Sequence, residues 1–117
     1  MTTFLLAALG GGFGAMARWR IDLALRRTWP GLGHWATFIV NMVGSFLLGI
    51  FTGLLLPTTT MTIIGVGYIG GFTTMSTASV EAVTALTSEQ PLRGLTYLVA
   101  TLAGCVAVAA LGLVLTL

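Results

Sequence analysis

Long apolar stretches alternate with short polar segments along the whole chain. Each stretch is long enough for a membrane-spanning helix, which needs about 20 residues. The polar segments contain proline, glycine or clustered charges, which end helices or mark their borders. The pattern predicts an all-α integral membrane protein with four transmembrane helices, over residues 3–27, 34–56, 57–86 and 92–117.

The third stretch differs from the others because its middle is rich in glycine and hydroxyl groups. Glycine weakens a helix, and Ser or Thr side chains compete for its backbone hydrogen bonds. The residues concerned are Gly65, Gly67, Gly70, Gly71, Thr73, Thr74, Ser76, Thr77 and Ser79. Irregular backbone at membrane depth survives only where protein buries it or where it lines a water-filled path. We therefore expect a helix that is broken over residues 70–74, at a functional site.

The composition supports the membrane assignment and argues against several other classes. Of the 117 residues, 56% are hydrophobic and 7% are charged, whereas a soluble domain carries about 25% charged residues. We expect residues 1–117 to form a single four-helix domain. The one cysteine, Cys105, excludes an internal disulfide and a multi-cysteine metal site. No basic patch lies outside the short interhelical regions, which argues against nucleic-acid binding.

The charged residues predict the orientation of the chain in the membrane. All five arginines belong to the side that holds the loops after helices 1 and 3: Arg18, Arg20, Arg26, Arg27 and Arg93. The positive-inside rule places this side in the cytoplasm and both termini outside it. Asp22 lies four residues before Arg26, so we expect these two side chains to pair on the first helix.

Small and polar residues predict close packing and an ion site. Helices 1, 2 and 4 have small-residue faces, which we expect to make contacts beyond one protomer. Asn41 and the hydroxyls of helix 3 are costly to expose to lipid, which favours an oligomer, and we expect a dimer. Asn41 either forms a hydrogen bond to a neighbouring helix or is part of an ion site, and the broken helix favours the ion site. No charged side chain lies in the core of a span, so neutral dipoles would hold the ion or solute.

Three segments resemble the signature motifs of the Fluc/CrcB fluoride channels, in the same order and spacing. Residues 11–19 are similar to Gly-Gly-x-Gly-Ala-x-x-Arg-aromatic. Residues 37–49 contain a segment similar to Val-Asn-x-x-Gly-Ser-Phe-x-x-Gly. Residues 70–81 are similar to Gly-Gly-x-Thr-Thr-Phe-Ser-Thr-Phe-Ser-x-Glu. Each motif alone is moderately specific, but together they span nearly the whole chain.

The resemblance implies an antiparallel, dual-topology dimer in the prokaryotic inner membrane, with two narrow pores near the subunit interface. These pores would carry passive, selective fluoride efflux from the cytoplasm, so we do not expect an enzyme. The backbone carbonyls of Gly70 and Thr73 from both subunits would hold a structural Na⁺. Asn41 would donate a hydrogen bond to fluoride, and Arg18 would lie at the vestibule. The match implies as further ion-pathway residues Met75, Ser76, Thr77, Ala78, Ser79, Glu81, Tyr97, Thr101 and Cys105.

Three positions depart from the family pattern. Met75 and Ala78 replace two phenylalanines whose ring edges contact the anion in the family, and Cys105 replaces a residue that is usually hydroxylated. A chain that inserts both ways needs balanced loops, whereas these arginines favour one orientation. We therefore predict one half of a heterodimer, whose oppositely oriented Fluc-like partner supplies the missing rings.

Two other functions remain open on the sequence. A small multidrug-type transporter has a similar length and helix number, but such proteins depend on a carboxylate within helix 1. Here that helix contains only Asp22, which lies beyond its apolar span. A non-conducting structural or regulatory membrane subunit is compatible with the replacements at Met75 and Ala78, because a chain with an altered pore can still act as a scaffold.

Overall fold

The computed structural model describes residues 1–117 and consists of helices joined by short turns, which confirms the all-α prediction. The first long helix, α1, is Thr2–Thr28, and α2 is Trp35–Gly53. The last helix, α6, is Pro91–Thr116. Between them lies the broken helix, which comprises α3 (Thr58–Met61), a π-helix (Thr62–Ile69), α4 (Gly70–Phe72) and α5 (Met75–Leu86).

The broken helix is interrupted as predicted, but over fewer residues. Only Thr73 and Thr74 have extended backbones, with φ/ψ of −80°/158° and −147°/113°. Gly70 and Gly71 remain helical in α4, so the expectation that the break includes them is wrong. Gly71 lies against the backbone of Gly11, where a side chain would collide with it. Its lack of a side chain therefore serves close helix packing rather than an irregular backbone.

Glycines bring the long helices into backbone contact in two pairs. α1 packs on the π-helix and α4, and Gly14 lies against the backbone of Tyr68 there. α2 packs on α6, where Gly49 lies against the backbone of Ala109. Most of these glycines are thus occupied by contacts within the chain, and contacts beyond one protomer stay a prediction. Gly12 is the exception on α1, because a side chain there would meet nothing within 4 Å.

The outer surface is that of a multi-pass membrane protein. Three helical stretches are long and apolar enough to cross a membrane: Trp35–Gly53, Thr58–Leu86 and Pro91–Thr116. α1 has 27 residues, but charged residues occupy its second half, so a fourth crossing stays a prediction. Many large apolar side chains point outward, as lipid contact requires.

Candidate functional site

One side chain of α2 holds the break in the helix. The Asn41 Nδ2 group donates to the carbonyl oxygen of Thr74 at 2.9 Å, and Asn41 Oδ1 accepts from the Thr74 amide at 2.7 Å. Asn41 is 6% exposed. It thereby satisfies both backbone groups of Thr74, which has left the helix at the break. Asn41 is a polar link between helices, and its second N–H is left for another acceptor.

The two sides of the break offer opposite polarity. The Thr74 hydroxyl accepts from the Thr77 amide at 3.2 Å and so caps the start of α5. On the other side, the Thr73 amide donates to Ile69 and the Thr74 amide donates to Asn41. Neither amide donates to Gly70, so the Gly70 carbonyl has lost its helical partner. The break thus leaves a carbonyl of α4 without its helical donor and places amides at the start of α5.

A cavity of about 300 Å³ lies beside the break. It brings together predicted site residues from α2, the break and α6: Asn41, Gly70, Thr73, Met75, Thr101 and Cys105. The Thr101 residue is 4% exposed, and its hydroxyl has no hydrogen-bond partner. A buried polar group without a partner costs about 1–3 kcal/mol. A hydroxyl at this position in the wall is a candidate contact for a ligand.

A second cavity, of about 200 Å³, shares Thr74 with the first. Its lining residues come from α1, α2 and the start of α5: Arg18, Trp19, Asp22, Thr37, Val40, Thr74 and Thr77. Arg18 makes no salt bridge, whereas Asp22 is paired with Arg26. The unpaired positive charge of Arg18 makes this cavity favourable for an anion.

A charged network joins α5 to the three long helices. Glu81 Oε1 accepts from Arg26 Nη2 at 2.9 Å and from Thr37 Oγ1 at 3.1 Å. Glu81 Oε2 accepts from the Tyr97 hydroxyl at 3.0 Å. Arg26 Nε donates to Asp22 at 2.9 Å, which confirms the predicted pair on α1. Glu81 and Tyr97 are thus bonded to each other, and neither lines the two cavities.

Several predicted site residues on α5 lie away from the cavities. Ala78 is 4% exposed and packs against Tyr97 in a small core. Ser76 and Ser79 are exposed and line neither cavity. Met75 and Thr77 are therefore the residues of α5 that border the two cavities, one on each.

Sequence analysis did not identify Thr37 as a site residue. It lies one turn before Asn41 on the same face of α2, and that spacing was the available signal. The Asp22–Arg26 spacing was recognised, but the bond from Arg26 to Glu81 joins residues that are 55 positions apart. No local pattern reports such a contact.

The geometry defines a multi-pass membrane protein in which a broken, capped helix separates two small cavities, each with a few polar groups in its wall. A family model described as "CrcB-like protein, Camphor Resistance (CrcB)" matches residues 5–113. The chain belongs to this CrcB-like family, which confirms the resemblance seen in the three motifs.

Relatives that are named as fluoride-specific ion channels align with most of the chain. "Fluoride-specific ion channel FluC 2" of Rhodococcus jostii is 40% identical over 116 residues, which are 97% of this chain and 98% of that protein. "FluC 1" of the same organism is 39% identical over 109 residues, covering 92% and 80%. "FluC 1" of Ligilactobacillus salivarius is 37% identical over 97 residues, covering 80% and 82%.

We expect Asn41→Leu to destabilise the protein, because both backbone groups of Thr74 lose their partner. The free energy of unfolding should fall by about 2–6 kcal/mol, because each of the two unsatisfied polar groups costs about 1–3 kcal/mol. Thermal unfolding in detergent measures the change as a lower midpoint. Ser45→Ala is the matched control, since Ser45 lies one turn after Asn41 and lines the same cavity. An equal loss in both variants would contradict this role of Asn41.

Proposed function

We propose that this chain is a subunit of a passive channel through which fluoride leaves the cytoplasm. The observation that carries the proposal is its membership of the CrcB-like family, with relatives named as fluoride-specific ion channels. The site adds a physical reason, because neutral hydrogen-bond donors line a cavity beside a helix break. A channel of this kind performs no bond-breaking chemistry, so the chain is not an enzyme in this proposal.

Fluoride is small and strongly hydrated, so its pathway must replace water with close donors. The Asn41 amide has two N–H groups, and one of them bonds Thr74. The second N–H and the unpartnered Thr101 hydroxyl belong to residues of the same cavity wall. Neutral donors release an anion more readily than a fixed charge does, and conduction requires release. Arg18, in the neighbouring cavity, would attract the anion without binding it at the break.

A second, Fluc-like subunit in the opposite orientation completes the proposed channel, as an antiparallel heterodimer in the inner membrane. The one-sided arginines support this, because they favour one orientation, with both termini outside the cytoplasm. Met75 and Ala78 also support it, because this chain has no aromatic ring at either position. Rhodococcus jostii has two proteins similar to this chain, named FluC 1 and FluC 2.

A structural Na⁺ at the dimer centre is a further part of the proposal. The Gly70 carbonyl lacks its helical donor, and Thr73 is extended at the end of α4. Carbonyl oxygens at an unwound helix end suit a monovalent cation. Gly70 is exposed and so accessible to a second subunit. The ion would neutralise the partial negative charges of carbonyls that face each other across the interface.

A non-conducting structural subunit is the alternative, and the burial of Ala78 within the protomer is the observation that favours it. A multidrug-type transporter has no support in the site. The one carboxylate of α1, on Asp22, is paired with Arg26 rather than available to a cation.

We expect Thr101→Val to lower fluoride efflux roughly ten-fold, about the worth of one hydrogen bond to a charged group. Stability should be unchanged or higher, because the substitution removes an unpaired buried hydroxyl. Efflux is measured with a fluoride electrode on liposomes in which this chain is reconstituted together with a Fluc-like partner chain. Thr84→Val is the control, since Thr84 is exposed and donates to the Val80 carbonyl oxygen on its own helix. Unchanged efflux in Thr101→Val would contradict the proposed contact.

The chain reconstituted alone should show little fluoride efflux, because it lacks the aromatic rings and the oppositely oriented partner. Co-reconstitution with a Fluc-like chain whose arginines lie on the opposite loops should restore efflux. Robust efflux from this chain alone would rule out an obligate heterodimer. Absence of efflux from the two chains together would favour the structural subunit.

Removal of Na⁺ should destabilise the assembled protein, because facing carbonyls would lose their neutralising ion. The measurement is the thermal midpoint in detergent after Na⁺ is replaced by N-methyl-D-glucamine. Restoration by NaCl but not by KCl is the expected result. A midpoint that does not respond to Na⁺ would exclude a structural sodium site.

A further inference from the structure

The α5 half-helix is attached to the neighbouring helices at two polar points. The break separates it from α4, and its apolar attachment is to α6, where Ala78 and Ala82 pack against Tyr97. The first polar point is at its start, where Thr74 bonds Asn41 on α2. The second polar point is Glu81, which bonds side chains of α1, α2 and α6.

Arg26 is the charged member of the second point. Its Nη2 group donates to Glu81 at 2.9 Å, while its Nε group donates to Asp22 at the same distance. Because a guanidinium group is planar and rigid, two bonds to fixed carboxylates determine its orientation. Asp22 therefore orients the Arg26 guanidinium group, which in turn donates to the Glu81 carboxylate and fixes its position. The side chain of Arg26 is 38% exposed, and that of Glu81 is 19% exposed.

The two points together determine how α5 is rotated. Thr74 and Glu81 are seven positions apart, which is about two helical turns or 10 Å. Two such attachment points fix both the rotation of the helix about its axis and its depth in the membrane. Met75 lines the larger cavity and Thr77 the smaller one, so α5 is a wall shared by both. A rotation of α5 would therefore change both cavities at once.

We propose that Arg26 is a positioning residue of the ion pathway, which acts through Glu81 to set the rotation of α5. Arg26 lines neither cavity itself, although it bonds Asp22 and Thr37, which line the smaller one. This inference rests on the proposed channel function for its flux readout, but its effect on the position of α5 does not depend on that function.

Fluoride efflux and the fluoride-over-chloride ratio test the inference in the reconstituted channel. Arg26→Gln should lower efflux roughly ten-fold, about the worth of a hydrogen bond to a charged group, and should change the ratio. Arg26→Lys should restore only part of the loss, because an ammonium group lacks the planar fork. Arg27→Gln is the matched control, because it removes the same charge from an exposed neighbour and should leave both readouts unchanged.

A double variant separates action through Glu81 from an independent effect. In the Glu81→Gln background, Arg26→Gln should cause little further loss, since the carboxylate through which it acts is gone. Additive losses would overturn the inference. An unchanged fluoride-over-chloride ratio in Arg26→Gln, with only less assembled protein, would also overturn it, because that result is expected of a purely structural residue.

A labelling experiment reads the position of α5 without any flux. Thr77→Cys is placed in a Cys105→Ser background, and its rate of reaction with a methanethiosulfonate reagent is measured. Arg26→Gln should change this rate several-fold, whereas the rate at Thr58→Cys on α3 should not change. An unchanged rate at position 77 would overturn the inference. Absence of fluoride efflux in every variant, with a changed labelling rate, would instead contradict the proposed channel function alone.

Discussion

Two hydrogen bonds between Asn41 and Thr74 determine where the membrane helix can be interrupted. Backbone groups at membrane depth need partners, and the Asn41 amide supplies a donor and an acceptor to the same residue. The extended residues, the start of α5 and the border between the two cavities all follow from this contact. Because an amide group has a second N–H, one side chain can serve the fold and still bind an anion.

Charge is distributed around the site in a way that leaves the break itself neutral. Glu81 would be costly in an apolar bundle, and three donors from three helices offset that cost. Its partner Arg26 is in turn shared with Asp22. The charges of Asp22, Arg26 and Glu81 are therefore paired with one another beside α5, while the cavity beside the break has only neutral groups in its polar lining. An anion in that cavity meets dipoles and no counter-ion that would trap it.

The helices and the break could be predicted because they depend on local patterns. Apolar runs, turn residues and clustered hydroxyls reported them, and the predicted end of α5 at residue 86 agrees with the structure. The helices that pack on the glycine faces could not be predicted. A small-residue face indicates close helix packing, but it does not identify the partner helix. The same limit explains why Thr37 was not identified as a site residue and why Ala78 was expected in the ion pathway rather than in the core. Whether a residue on α5 faces a cavity or the core depends on the rotation that Asn41 and Glu81 impose.

The glycine contacts join helices that are not consecutive in the chain. α1 meets the π-helix and α4, and α2 meets α6. During synthesis, α1 must therefore wait for residues made about fifty to sixty positions later, which takes seconds at the usual rate of translation. α2 must wait over a similar distance, until α6 has been made. Both glycine faces contact lipid during that interval. Nascent chains can therefore form incorrect helix pairs until α6 has been made.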